Sequence, residues 1–97
     1  MIFFVRIDKK IAEYFRHFSP TRKQRIKKAL KELAFDPFLG KPLEEDLFGF
    51  YSYRVGNFRI IYEIQHERKT VRVAGIGPRR NIYEEIEKEF QFDDSYN

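Results

Sequence analysis

The sequence predicts an α+β fold of element order β-α-α-β-β-β-α, with two N-terminal helices packed on an antiparallel sheet. Three observations predict it. Helical spacing runs from residue 8 to 36 with a restart at Ser19-Pro20. Alternating apolar residues fill 51–64 around Gly56-Asn57. A further β-rich run, TVRVAGIG, closes at Gly77-Pro78 before helical spacing resumes.

The elements follow in order. Residues 2–7, IFFVRI, are rich in β formers and make a first strand. Asp8 is placed to cap a helix whose Ile11, Tyr14, Phe15 and Phe18 recur at i, i+3, i+4 and i+7. Ser19-Pro20 supplies a hydroxyl cap with proline at the first helical position, opening a second helix with Ile26, Leu30, Leu33 and Ala34 on one side. Arg22, Lys23, Arg25, Lys27, Lys28 and Lys31 fill the rest of it, and Asp36-Pro37 ends it. FLGKPLEEDLFGF is punctuated by Gly40, Pro42 and Gly49 and reads as a loop. Two hairpin strands and a third after the polar turn QHERK complete the sheet. Ile82, Ile86 and Phe90 give a last amphipathic helix from about Asn81, with residues 93–97 as a frayed tail.

A length of 97 residues fits a single domain spanning 1–97. Eleven Phe and six Tyr promise an aromatic core, and the absence of Cys excludes disulfides and thiolate metal sites. No run is long and apolar enough for a membrane span or resembles a signal peptide, so the expectation is a cytoplasmic protein with no membrane partner. The net charge is +4, but six acidic residues against one lysine from Glu84 onward leave +9 on residues 1–83. Such a basic body favours an anionic partner.

The hairpin YSYRVGNFRIIYEI poses the functional question. With Gly56-Asn57 as the loop, Val55 pairs with Phe58 and Arg54 stands opposite Arg59, an arrangement that destabilises a strand pair. Strand alternation puts Tyr51, Tyr53, Val55, Phe58, Ile60, Tyr62 and Ile64 under the helices. Ser52, Arg54, Arg59, Ile61 and Glu63 take the other face, which is left open. Either the arginines are a solvated pair with their stems over Ile61, or they are a phosphate clamp, since guanidinium forks match phosphate oxygens. Glu63 shares their face and is a possible ion-pair partner for Arg59. Arg79 and Tyr83, in GIGPRRNIYEEI, follow the last strand and can approach the same face. His17 and His66 are expected at the surface, away from this cluster. No His/Asp/Glu spacing suggests a metal, and no cofactor is expected. The GxG at residues 75–77 lacks the sequence context of a phosphate loop.

The runs DPFLGKPL, SYRVGNFRIIYEI and GIGPRRNIYE closely resemble the RelE/ParE superfamily of type II toxin–antitoxin toxins, over roughly residues 1–87. The resemblance implies the fold deduced above, a cognate antitoxin as partner and contact with DNA only through the antitoxin complex. Its RelE branch implies mRNA cleavage at the 16S decoding site of the ribosome; its ParE branch implies action on DNA gyrase, and a degenerate member would only bind its antitoxin. Carried onto this sequence, the resemblance makes Arg54, Arg59, Arg79 and Tyr83 the catalytic positions; Ser52, Arg80 and, on the basic side of the second helix, Lys27 and Lys31 are the candidate RNA contacts, that side being otherwise a solvated face. Family members often carry a further basic residue near Ser52, and the sequence around Ser52 has none. Retention of both Arg79 and Tyr83 favours the ribonuclease branch.

Overall fold

The computed structural model describes residues 2–78. The expected last helix and tail, with Arg79, Arg80 and Tyr83, lie outside them. Along the chain run β1 (Phe4–Ile7), α1 (Lys9–Phe15), α2 (Pro20–Phe35), a 3-10 turn (Pro37–Leu39), β2 (Lys41–Pro42), a second 3-10 turn (Glu45–Leu47), β3 (Phe50–Val55), β4 (Phe58–Gln65) and β5 (Thr70–Pro78). The helices lie on one face of a five-stranded sheet of order β1-β5-β4-β3-β2.

Local chemistry sets these boundaries. The Ser19 hydroxyl accepts from the Arg22 N–H at 3.2 Å with Pro20 in the first turn, so α2 starts where the capping chemistry places it. Asp36 ends α2 and its carboxylate accepts from Phe38 N–H at 3.1 Å, opening the following turn. Asp8 occupies the cap position of α1, but its side chain makes no capping hydrogen bond. That carboxylate pairs with Arg72 at 3.2 Å instead.

The sheet departs from the sequence reading in two ways. It is mixed: β1 pairs parallel with β5, from Phe4 beside Thr70 to Ile7 beside Val73. The helices carry the chain from one edge of the sheet to the other, and the meander β2–β5 returns it, so the last of these strands meets the first in parallel. It also gains β2, a two-residue edge strand pairing Lys41 with Ser52 and Pro42 with Tyr51. Proline has no N–H to donate, which is tolerable at an edge.

The core uses the predicted apolar positions of α2 and the sheet but is aliphatic rather than aromatic: among the described residues only Phe50 and Tyr62 are buried aromatics, while Phe4, Tyr14, Phe35, Phe38 and Phe48 are exposed. Ile26, Leu30 and Leu33 of α2 pack on Ile60, Tyr62, Val71, Val73 and Ile76, with Phe15 and Phe18 at the margin. Within the sheet, the register between β4 and β5 slips at Ile61/Tyr62, where Ala74 is the extra residue. No helix among the described residues is long and apolar enough to cross a membrane.

Candidate functional site

The hairpin forms in the predicted register, with Val55 beside Phe58 and Arg54 directly opposite Arg59. Of the loop residues only Gly56 takes a positive φ (60°), the pattern of a II′ turn. Arg54 and Arg59 line one depression of about 100 Å³ with Gly56, Asn57 and Phe58. Arg54 Nε donates to the Gly56 carbonyl at 3.3 Å, which draws its stem along the turn. Arg59 Nε is buried with no hydrogen-bond partner among the described residues. No carboxylate is among the described residues lining this depression. A like-charge pair with no counter-ion among the described residues is an arrangement that an anion would stabilise.

The remainder of this face is already committed. Glu63 does not pair with Arg59; it accepts from Arg72 at 3.4 Å, and Arg72 also holds Asp8. Nor do the arginine stems alone cover Ile61. It is fully buried in a small second cluster with Leu47 and Phe50, flanked by Leu43 and Ala74. The face expected to be open is therefore divided, with ion pairs toward β1, an apolar cap from the Glu45–Leu47 turn, and at the hairpin tip two arginines that no carboxylate of the described residues neutralises.

The end of β5 lies beside that tip, Gly77 next to Arg59 and Pro78 next to Phe58. Arg79 is the next residue in the chain. With Arg80 and Tyr83 it falls outside the described residues. Ser52 is on the arginine face but only 5% exposed, so its hydroxyl offers little surface to a ligand. Directly across from it stands the exposed Lys41. Opposed residues on antiparallel strands share a face, so β2 puts a lysine beside Ser52, on a stretch whose own sequence has no basic residue at that place. A two-residue strand has no periodicity by which to be found. Its only sequence signal was the GKPL run itself.

Lys27 and Lys31 are exposed on α2 and line neither hairpin depression. The α2 residues that do reach the turn are Arg22 and Arg25, beside a larger groove of about 230 Å³ shared with Gly56, Asn57 and Phe58. His17 and His66 are exposed; the His66 ring lies 5.9 Å from that of Phe38. Among the described residues no group of His, Asp and Glu could hold a metal ion.

Comparison with known proteins gives a consistent set of relatives. Residues 5–83 match the family described as ParE toxin of type II toxin–antitoxin system, parDE. Toxin RelG of Mycobacterium tuberculosis is 38% identical over 65 residues, covering 61% of this chain and 75% of RelG. Toxin RelE of the same organism is 35% identical over 66 residues, covering 62% of this chain and 68% of the relative. Among solved structures, the M. tuberculosis toxin–antitoxin complex RelBE2 superposes with a TM-score of 0.74 at 27% identity, covering 81% of this chain and 100% of that one. An E. coli RelE mutant in the free state superposes with a TM-score of 0.70 at 23% identity, covering 84% and 87%, a likeness of fold.

Proposed function

Since the chain belongs to the ParE toxin family of type II toxin–antitoxin systems, we propose that it is a RelE-like, metal-independent endoribonuclease that cleaves mRNA on the ribosome. The observation that carries this reading is the opposition of Arg54 and Arg59 across one small depression whose described lining includes no carboxylate. Guanidinium pairs of this kind match a phosphodiester, and they strengthen as the phosphate gains charge in the transition state.

In the proposed reaction the RNA supplies its own nucleophile. The 2′-oxygen bonds to the adjacent phosphorus as the bond to the 5′-oxygen breaks, leaving a 2′,3′-cyclic phosphate and a 5′-hydroxyl. Arg54 and Arg59 hold the non-bridging oxygens. Tyr83 takes, or orients the taking of, the 2′-proton, since neighbouring guanidiniums lower a phenol's pKa from near 10. Arg79 stabilises charge on the leaving side. An arginine with a pKa above about 12 is a poor proton donor, so water or the ribosome completes that transfer. Lys41 adds a cation on the same face, and Lys27, Lys31 and Arg80 add salt-sensitive positioning. A cognate antitoxin is the regulatory partner, as in the solved RelBE complexes.

The matching family is described as ParE toxin, and the second reading is the one implied by resemblance to the ParE branch, a gyrase-directed toxin acting by binding alone. Mapping mRNA 5′ ends on translating ribosomes separates the two. The ribonuclease reading expects new ends in reading-frame register with wild type, reduced at least about 100-fold by Arg54→Ala, Arg59→Ala or Arg79→Ala and by Tyr83→Phe. Gyrase-linked DNA breaks without such ends would establish the second reading and retire the first.

A further inference from the structure

The cationic surface does not stop at the clamp. The two depressions share Gly56, Asn57 and Phe58, so they meet across the hairpin turn, one on each side of it. We propose that the groove between α2 and the turn is a second phosphate subsite, which takes single-stranded RNA backbone after it has passed over the turn from Arg54 and Arg59. This deepens the ribonuclease reading and rests on it.

Each half of the groove is built for an anion. The Arg22 guanidinium carbon sits over the Phe58 ring, 4.1 Å from its centroid. A cation–π contact of this kind uses the charge over the ring and consumes none of the guanidinium's N–H donors, which can still serve oxygen acceptors. Phe58 is held in turn by the edge of Phe18, with centroids 5.3 Å apart. Arg25 reaches the turn itself, its Nη1 lying 4.0 Å from where a side chain on Gly56 would begin. Gly56 has no side chain to raise a barrier at the crossing.

Charge identifies the occupant. Four arginines surround a two-residue turn, and no Asp or Glu is among the described residues lining either depression. Arg72 on the same sheet shows the alternative, since Asp8 and Glu63 neutralise it. The ligand must carry repeated negative charge and bend sharply from one face of the hairpin to the other. A duplex is too stiff for that corner, with a persistence length of about 150 base pairs for DNA, whereas a single strand is not.

The test is fluorescence anisotropy on the full chain, freed of antitoxin, with single-stranded 2′-fluoro RNAs that lack the attacking hydroxyl. One is on the order of two nucleotides long, filling only the clamp; the other is on the order of eight. For the longer RNA, Arg22→Gln with Arg25→Gln should reduce the slope of log affinity against log salt by about 1.4, at about 0.7 per lost phosphate contact. Binding of the shorter RNA should not change. If loss of the Phe58 stack unfolds the double variant, Arg25→Gln alone carries the test, with a fall of about 0.7. An unchanged slope in variants with wild-type melting overturns the subsite. So does an unchanged slope with weakened binding of a polyglutamate peptide, which marks the groove as a protein site. The clamp is judged separately: Arg54→Gln with Arg59→Gln must weaken both RNAs, and if neither weakens, the ribonuclease reading itself is lost.

Discussion

The Tyr62 hydroxyl donates to the Pro37 carbonyl at 2.6 Å and accepts from the Gly40 N–H at 3.0 Å, with its side chain wholly buried. Those two bonds tether the Pro37–Leu39 turn to the sheet and so place the next residue, Lys41, on the edge across from Ser52. A side chain at Gly40 would collide with the same hydroxyl, which is why glycine is needed there. Burial pushes the Tyr62 phenol up to about 12, opposed in part by the Gly40 N–H and helped by Tyr51, Asp36 and Tyr53. The folded state therefore holds its proton more tightly than the unfolded chain, whose tyrosine titrates near 10. The stabilisation is complete below pH 10 and is lost as pH rises through about 12. Tyr62→Phe should cost about 1–3 kcal/mol near neutrality, because it orphans a buried carbonyl and a buried N–H. In urea melts it should also flatten the loss of stability between pH 10 and about 12 relative to wild type. Equal slopes in that window would assign the alkaline sensitivity to other groups.

At the scale of elements, the hairpin rests on one backbone angle. Gly56 takes φ of 60° and its missing side chain faces open space apart from Arg25, so Gly56→Ala meets little steric obstruction. The expected cost is a positive-φ penalty of about 1–2 kcal/mol, read by thermal melting, and Gly56→Asn should relieve little of it, because the first position of a II′ turn favours glycine. A strict period of two and a Gly-Asn loop made this register legible, down to the opposed arginines. β2 was not legible because two residues carry no period, and the parallel mate of β1 was not because pairing across the length of a chain leaves no local mark. Asp8 illustrates a subtler limit. Its cap position could be read, yet its carboxylate is drawn to Arg72, a residue 64 positions away. All three side chains of the Asp8–Arg72–Glu63 set are partly exposed. A double-mutant cycle of Asp8→Ala and Arg72→Ala should thus give a coupling of only about 0.2–1 kcal/mol, shrinking as salt is added.

Across the whole molecule, the division of charge on the outer face sets stability against function. Where arginine serves the fold, as at Arg72, carboxylates come to it from β4 and the start of α1. Where Arg54 and Arg59 face each other, the described residues bring none, although Glu63 lies on the same face. The fold therefore bears a repulsion that a single neutral substitution would relieve. Arg54→Gln should raise stability by about 0.2–1 kcal/mol in urea melts at low salt, and the gain should shrink as ionic strength approaches about 1 M and screening removes the repulsion in wild type. On the proposed ribonuclease reading, the same substitution should strongly reduce in-frame mRNA ends on translating ribosomes, because in that reading Arg54 stabilises charge in the transition state. Most substitutions destabilise, so a gain in stability coupled to a loss of cleavage is not the outcome expected of an ordinary surface arginine. If Arg54→Gln were neutral or destabilising at low salt while cleavage persisted, the pair would be solvated surface and the clamp would have to be sought elsewhere on the basic body of the protein.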